Sequence, residues 1–281
     1  MAHKEKKNQE FYDTNLAKWN EMANLHFAGG YDIEGFLAGK CSLQALEVEE
    51  LGDVQGKKLL HLMCHIGLDT ISWGKRGAEV TGVDFSEKAI EHARELAEKV
   101  GQKARFIAAN VYEVPEKLDE QFDVVFMSYG VLCWLASIDK LTAIIERYLV
   151  PGGTFYIAEI HPLNQIFDDE SNVQEFSVKY GYFSHGRPSE WQSEFSYASS
   201  TPLQNTKSYE WNYTLGDLVS GLASRGLCVE FLHEFPFLCY KGLPFLEQKE
   251  DGWWYAPADK PQVPLLFSLK AASPTANTSS M

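Results

Sequence analysis

Residues 58–101 read KLLHLMCHIGLDTISWGKRGAEVTGVDFSEKAIEHARELAEKVG, and the fold class follows from this stretch. It opens on a short apolar run, 58–63, which stops at the turn Cys64-His65-Ile66-Gly67. Residues 69–76 read as a helix ended by Gly77, and 79–83 as a strand with Asp84 just past its tip. Residues 86–100 form an amphipathic helical pattern. Ser86 suits the N-cap, Gly101 suits the stop, and Ile90, Ala93, Ala97 and Val100 share one apolar stripe. Strand, helix, strand, helix is the unit of a parallel sheet covered on both faces.

The rhythm continues downstream. Residues 105–109 read as a strand followed by Asn110, and 122–128 as a nearly all-apolar and therefore central strand. A helix over 138–149 ends before Pro151-Gly152-Gly153, and 154–160 is the next strand. Crossovers in such a sheet are right-handed, and ligands bind outside the carboxyl ends of its strands. The residues to inspect therefore follow Met63, Val83, Ala109 and Met127.

Upstream, the first ten residues are polar and read as frayed. A helix is expected over 11–27, with Tyr12, Leu16, Trp19 and Ala23 on one face and Gly29-Gly30 as its stop. A second helix is expected over 35–51. Residues 163–213 break the rhythm with a run of aromatics and read as a hairpin-bearing insertion. A helix over 215–224 and strands over 227–235 and 265–269 then complete the sheet with an antiparallel edge.

The 281 residues suffice for one large domain or a domain with an appendage. With 25 Lys and Arg against 39 Asp and Glu, the net charge is −14, which argues against nucleic acid or an anionic membrane as partner. The most apolar run, 122–138, is interrupted by Asp123, Ser128, Gly130 and Ser137, so no membrane span is expected. No apolar stretch follows the charged N-terminus, so no secretory signal is read there. The five cysteines have no CxxC spacing; reduced thiols in a cytoplasmic protein, without a metal site, are expected.

No GxGxxG follows the first strand, which counts against a nicotinamide or flavin enzyme. Asp84 stands where a carboxylate can accept hydrogen bonds from both hydroxyls of a ribose. It also precedes a helix, but Ser86 is available as that helix's cap.

Five ordered segments carry a family resemblance: LLHLMCHIGLDT, EVTGVDFSEKAIEHAR, ARFIAANVYEVP, FDVVFMSYGVL and LVPGGTFYIAE. Together they resemble the class I S-adenosylmethionine-dependent methyltransferases, over residues 58–159. That family usually has an acidic residue where His61 stands and glycines at the positions of Met63 and His65; only Gly67 is kept. The turn Cys64-His65-Ile66-Gly67-Leu68-Asp69 resembles a variant found in some bacterial small-molecule enzymes of this type.

The resemblance implies a doubly wound, mostly parallel Rossmann-like α/β sheet with S-adenosylmethionine as cofactor. It implies a helical lid over 1–56, a cofactor-binding core over 57–162, an acceptor-pocket cap over 163–213, completion of the sheet over 214–272 and a disordered tail over 273–281. Gly67 would allow close backbone approach, and the amides of Leu68 and Asp69 would meet the methionyl carboxylate. Asp69 reads equally as a helix-start residue or a direct contact. His61 would act as a neutral hydrogen-bonding group, with Cys64 in the turn beside it, whereas His65 reads as a packed, satisfied histidine. Asp84 would hold the ribose. Asn110 would meet the adenine amino group, or serve only as a turn residue. Phe85 and Val111 would sandwich the ring, or serve only as core.

Ser128 and Tyr129 would lie beside the methyl-transfer site, and Tyr12 and Trp19 on a helix folding over the cofactor. His161 and Tyr129 are the candidates for catalysis, His161 as a general base or as a hydrogen-bonded residue before Pro162. His185 and His233 have weaker claims. The expected activity is methylation of a small, partly apolar metabolite. Two other classes remain open: a cofactor-binding sensor without transferase activity, and an oxidoreductase on the same architecture.

Overall fold

The computed structural model describes residues 2–183 and 186–275, with side chains from residue 8. Helix α1 (Ala2–Leu25) starts well before residue 11 and takes in the segment expected to be frayed. Its first residues are mainly straight-chain Lys, Glu and Gln, which cost little side-chain entropy in a helix. It ends in a wide turn, His26–Gly30, kinked at Gly29. The single helix expected over 35–51 is two short ones, α2 (Ile33–Leu37) and α3 (Ala45–Leu51). Gly39, at φ +106°, turns the chain between them. A capping box of Gln44 and Glu47 starts α3.

The alternating region follows as read: β1 (Lys58–Leu62), α4 (Leu68–Lys75), β2 (Glu79–Asp84), α5 (Glu87–Lys99), β3 (Arg105–Ala108) and a short α6 (Val114–Lys117). Then come β4 (Phe122–Ser128), α7 (Ile138–Tyr148) and β5 (Leu149–Ile160). The insertion forms a hairpin of β6 (Ser189–Gln192) and β7 (Lys207–Glu210), followed by α8 (Leu215–Ser224) and β8 (Cys228–Phe235). Three two-residue strands, β9 (Phe237–Leu238), β10 (Glu247–Gln248) and β11 (Trp254–Tyr255), make a small separate sheet before β12 (Leu266–Ala272). Strands this short show no periodicity in a sequence.

The main sheet runs β3-β2-β1-β4-β5-β12-β8. The first five strands are parallel; β12 pairs antiparallel with both β5 and β8. The strand order reverses between β1 and β4, and a crevice opens at their carboxyl ends. Successive side chains feed opposite faces. Leu60, Val125 and Phe155 pack with Leu141 and Ile145 of α7 and Leu222 of α8. Leu59, Val124 and Tyr156 pack with Trp73 of α4 on the other face. Among the described residues, no helix is long and apolar enough to cross a membrane.

Helix α1 lies over the crevice and is tied to the hairpin by polar groups on its buried face. Asn15 acts as an extra peptide unit: its Nδ2 donates to the Tyr209 carbonyl and its Oδ1 accepts from the Tyr209 N–H, both at 2.8 Å. Lys18, buried one turn on, donates to the Thr206 carbonyl at 3.2 Å and to Ser208 Oγ at 3.3 Å.

Candidate active site

The turn after β1 carries three residues in the left-handed region: Met63 at φ +61°, His65 at +49° and Gly67 at +76°. Glycine adopts this region freely, whereas a residue with a side chain pays about 1 kcal/mol or more for it. The surroundings hold the turn. Cys64 N donates to the Val83 carbonyl at 2.9 Å, and His65 N donates to Asp84 Oδ2 at 2.9 Å. At Gly67 there is no room for a side chain: a Cβ would come within 2.8 Å of Ala93 Cβ and of the Phe106 ring.

A cavity of about 750 Å³ lies over this turn. Of the residues expected to bind the cofactor, Trp19, His61, Cys64, Gly67, Leu68, Asp69, Asp84, Phe85 and Ser128 all line it. Asn110 and Val111 line a narrow adjoining slot with Tyr12, Asp84 and Phe85. Asn110 also has the turn role: its Oδ1 accepts from Tyr112 N at 3.1 Å. Asp84 is buried, and its Oδ1 accepts from Ser86 N at 2.9 Å. Burial pushes its carboxyl up to about 6. Ser86 caps α5, as expected, by accepting from Ala89 N.

Five polar atoms of the residues lining the cavity are buried without a partner: Trp19 Nε1, His61 Nε2, His65 Nδ1, Asn164 Oδ1 and Gln165 Oε1. Burial drives His61 down to about 3, so the ring is neutral; its Nδ1 pairs with Thr70 Oγ1 at 2.8 Å. His65 is not the satisfied histidine expected. Its Nε2 meets His26 Nδ1 at 2.9 Å, but its Nδ1 has no partner. Burial holds His26 down to about 4, so this pair is also neutral.

The structure places the two candidates for catalysis differently. His161 is not among the residues lining the cavity. It caps the turn Pro162–Ile166: Nδ1 accepts from Leu163 N at 3.0 Å, and Nε2 is 2.9 Å from Glu234 Oε1. Both nitrogens are engaged, which is the hydrogen-bonded role left open for a residue before proline. Tyr129 does line the cavity, but its hydroxyl donates to Glu47 Oε2 at 2.6 Å. His233 is on β8, paired with Glu50 at 2.8 Å. His185 lies outside the described residues, as do 276–281 of the expected tail.

Glu47 was invisible to sequence reasoning because an acidic residue in the first turn of a helix is usually solvent-facing. Here it is completely buried. Burial, and next the charge of Asp69, push its carboxyl up to about 8. A carboxyl raised in the folded state favours folding at low pH, and that contribution is lost as the pH rises through about 8. Glu47→Gln is therefore expected to match the parent in urea denaturation near pH 4.5. By pH 8.5 it should exceed the parent by roughly 1–3 kcal/mol. Equal stability at both pH values would contradict the assignment.

The insertion and the small sheet close the far side of the cavity with Phe195, Tyr197, Cys239 and Tyr240. Phe195 and Tyr197 are among the most exposed large side chains, because they face the cavity. Tyr31, after the kink, shares a short hydroxyl hydrogen bond with Tyr197. One usable signal for this wall was Lys18, a charged residue between Asn15 and Met22 on the buried face of α1.

A family model described as a methyltransferase domain matches residues 60–157. An uncharacterised protein of Haemophilus influenzae is 35% identical over 141 residues, 46% of this chain and 54% of that one. The ubiquinone biosynthesis O-methyltransferase of Dechloromonas aromatica is 27% identical over 114 residues, 41% of this chain and 49% of that one. The chain thus spans about half the length of these curated relatives. An S-adenosylmethionine-dependent methyltransferase of Mesorhizobium loti superposes with a TM-score of 0.55 at 20% identity, covering 84% of this chain and 99% of that one. Another, from Clostridium acetobutylicum, gives 0.53 at 14% identity, with 82% and 88% covered. Residues 60–157 thus match a methyltransferase domain, and the chain has the Rossmann-like fold seen in solved S-adenosylmethionine-dependent methyltransferases.

Proposed function

We propose that this protein transfers a methyl group from S-adenosylmethionine to a small, partly apolar metabolite. The observation that carries the reading is the cavity itself. It holds a buried carboxylate at the tip of β2 and unpartnered polar atoms of Trp19, His61 and His65. Phe195, Tyr197 and Tyr240 line it as well. Pockets that combine an apolar wall with a few convergent polar groups suit small ligands.

The residues present fit the cofactor. Asp84 would hold the ribose and the 63–67 turn the methionyl group, with Phe85 and Val111 beside the adenine. Tyr12 and Trp134 line the same slot. When bound, S-adenosylmethionine supplies an electrophilic methyl group, and the protein's work is orientation and exclusion of water. Tyr31 and Tyr197, joined across the cavity, close it on one side. Glu47 accepts from the Tyr129 hydroxyl and fixes its ring in the cavity wall. Both nitrogens of His161 are engaged, and the Tyr129 hydroxyl is held by Glu47.

The test is calorimetric titration with S-adenosylhomocysteine, followed by a metabolite panel scored for S-adenosylhomocysteine release. Binding plus turnover of a small acceptor is expected. Absence of binding by folded protein would sink the reading; binding without turnover on any acceptor would favour a sensor.

A further inference from the structure

The methionyl end of the cofactor carries an ammonium as well as a carboxylate, and a buried ammonium needs an anion. The anionic groups near the turn can be taken in order. His61, at the tip of β1, is neutral and supplies no charge. Asp84, at the tip of β2, is assigned to the ribose. Glu159 is saturated by four backbone amides and is not among the residues lining the cavity. Glu210 faces Lys18 on the hairpin side. Asp69 remains. It sits in the first turn of α4, directly after the 63–67 turn, and its Oδ2 accepts from Ser128 Oγ at 3.1 Å. It therefore spans the crevice between the tips of β1 and β4.

Among the described residues Asp69 makes no ion pair, and neither does Glu47 behind it. Two neighbouring carboxyls, Glu47 completely buried and Asp69 partly, thus lie without a cation, each raised by desolvation and Glu47 further by the charge of Asp69. An independent feature of the same wall also points to a ligand. His61 is 2% exposed, and its Nε2 has no partner.

We propose that Asp69 is the anionic seat for the α-ammonium of the cofactor's methionyl group, with Glu47 behind it. The inference rests on the reading under Proposed function. Asp69 then sets cofactor affinity and orientation, and His61 contributes only a neutral hydrogen bond.

The experiment compares two ligands by calorimetry on the full chain: S-adenosylhomocysteine and S-adenosyl-4-thiobutyric acid, which differ only in the amino group. Asp69→Asn is expected to weaken S-adenosylhomocysteine by about 10- to 100-fold, the range for a charged hydrogen bond. It should leave the desamino compound within about twofold of the parent. Retained binding of the desamino compound also shows that the variant is folded. Equal losses on both ligands would make Asp69 structural, and no loss on either would turn it toward the acceptor; both overturn the proposal while the cofactor reading stands. Failure of the parent chain to bind S-adenosylhomocysteine overturns both.

Discussion

Asp84→Ala is expected to abolish measurable binding of S-adenosylhomocysteine, with a loss of at least about 100-fold. Two charge-assisted hydrogen bonds to the ribose hydroxyls are worth roughly 3–6 kcal/mol together, which is about two to four orders of magnitude in affinity. Asp84 has the spare capacity for them. Each oxygen already accepts one backbone N–H, from His65 and Ser86, and each retains a further lone-pair direction. The same two bonds tie the 63–67 turn to the start of α5, so the variant should also melt at a lower temperature. Circular dichroism checks that it remains folded. A pH effect follows in the parent protein. Burial holds the Asp84 carboxyl up to about 6, so affinity should fall as the pH drops below about 6, when the acceptor becomes protonated. Unchanged affinity in Asp84→Ala, or a flat profile between pH 7 and 5, would remove the ribose assignment.

The second large effect concerns stability. Glu159→Ala should lower the unfolding free energy by about 3–5 kcal/mol, read from urea denaturation by linear extrapolation. The Glu159 carboxylate accepts from Gly130 N at 2.6 Å, Val131 N at 2.7 Å, Leu132 N at 2.9 Å and Ile160 N at 2.6 Å. Removing it strands four amides at a buried place, and unsatisfied buried donors cost about 1–3 kcal/mol each before water enters. Glu159→Gln should recover only part of the loss, because its NH2 faces donors. The loop after β4, with Tyr129 at φ +43° and Gly130 at φ +79°, depends on this carboxylate for its shape. A loss below about 1 kcal/mol would show that the loop holds itself.

Much of the cofactor end of the site was legible from residue order. Strand-tip positions are fixed by local periodicity, and the crevice rule says where strand tips lead. Asp84, Asn110 and Ser128 were found that way, and all three border the cavity or its adjoining slot. His161 failed because the rule gives a strand tip but not a side-chain direction. Its ring turned back to cap the next turn and meet Glu234 on β8, 73 positions further along the chain.

The aromatic wall of the cavity could not be read in this way. It comes from α1, the kink after it, the hairpin and the small sheet, brought together by contacts such as Asn15 with Tyr209 and Tyr31 with Tyr197. The chain's sequence by itself determined the alternating sheet, its polarity and the residues at its carboxyl edge, because those depend on short-range patterns of period two and 3.6. Only the tertiary structure decided which carboxylates would be buried. Glu47 and Glu159 look like surface carboxylates in sequence, and whether a charge is desolvated depends on segments far away along the chain. One became a proton-holding group behind Asp69, and the other the anchor of a loop.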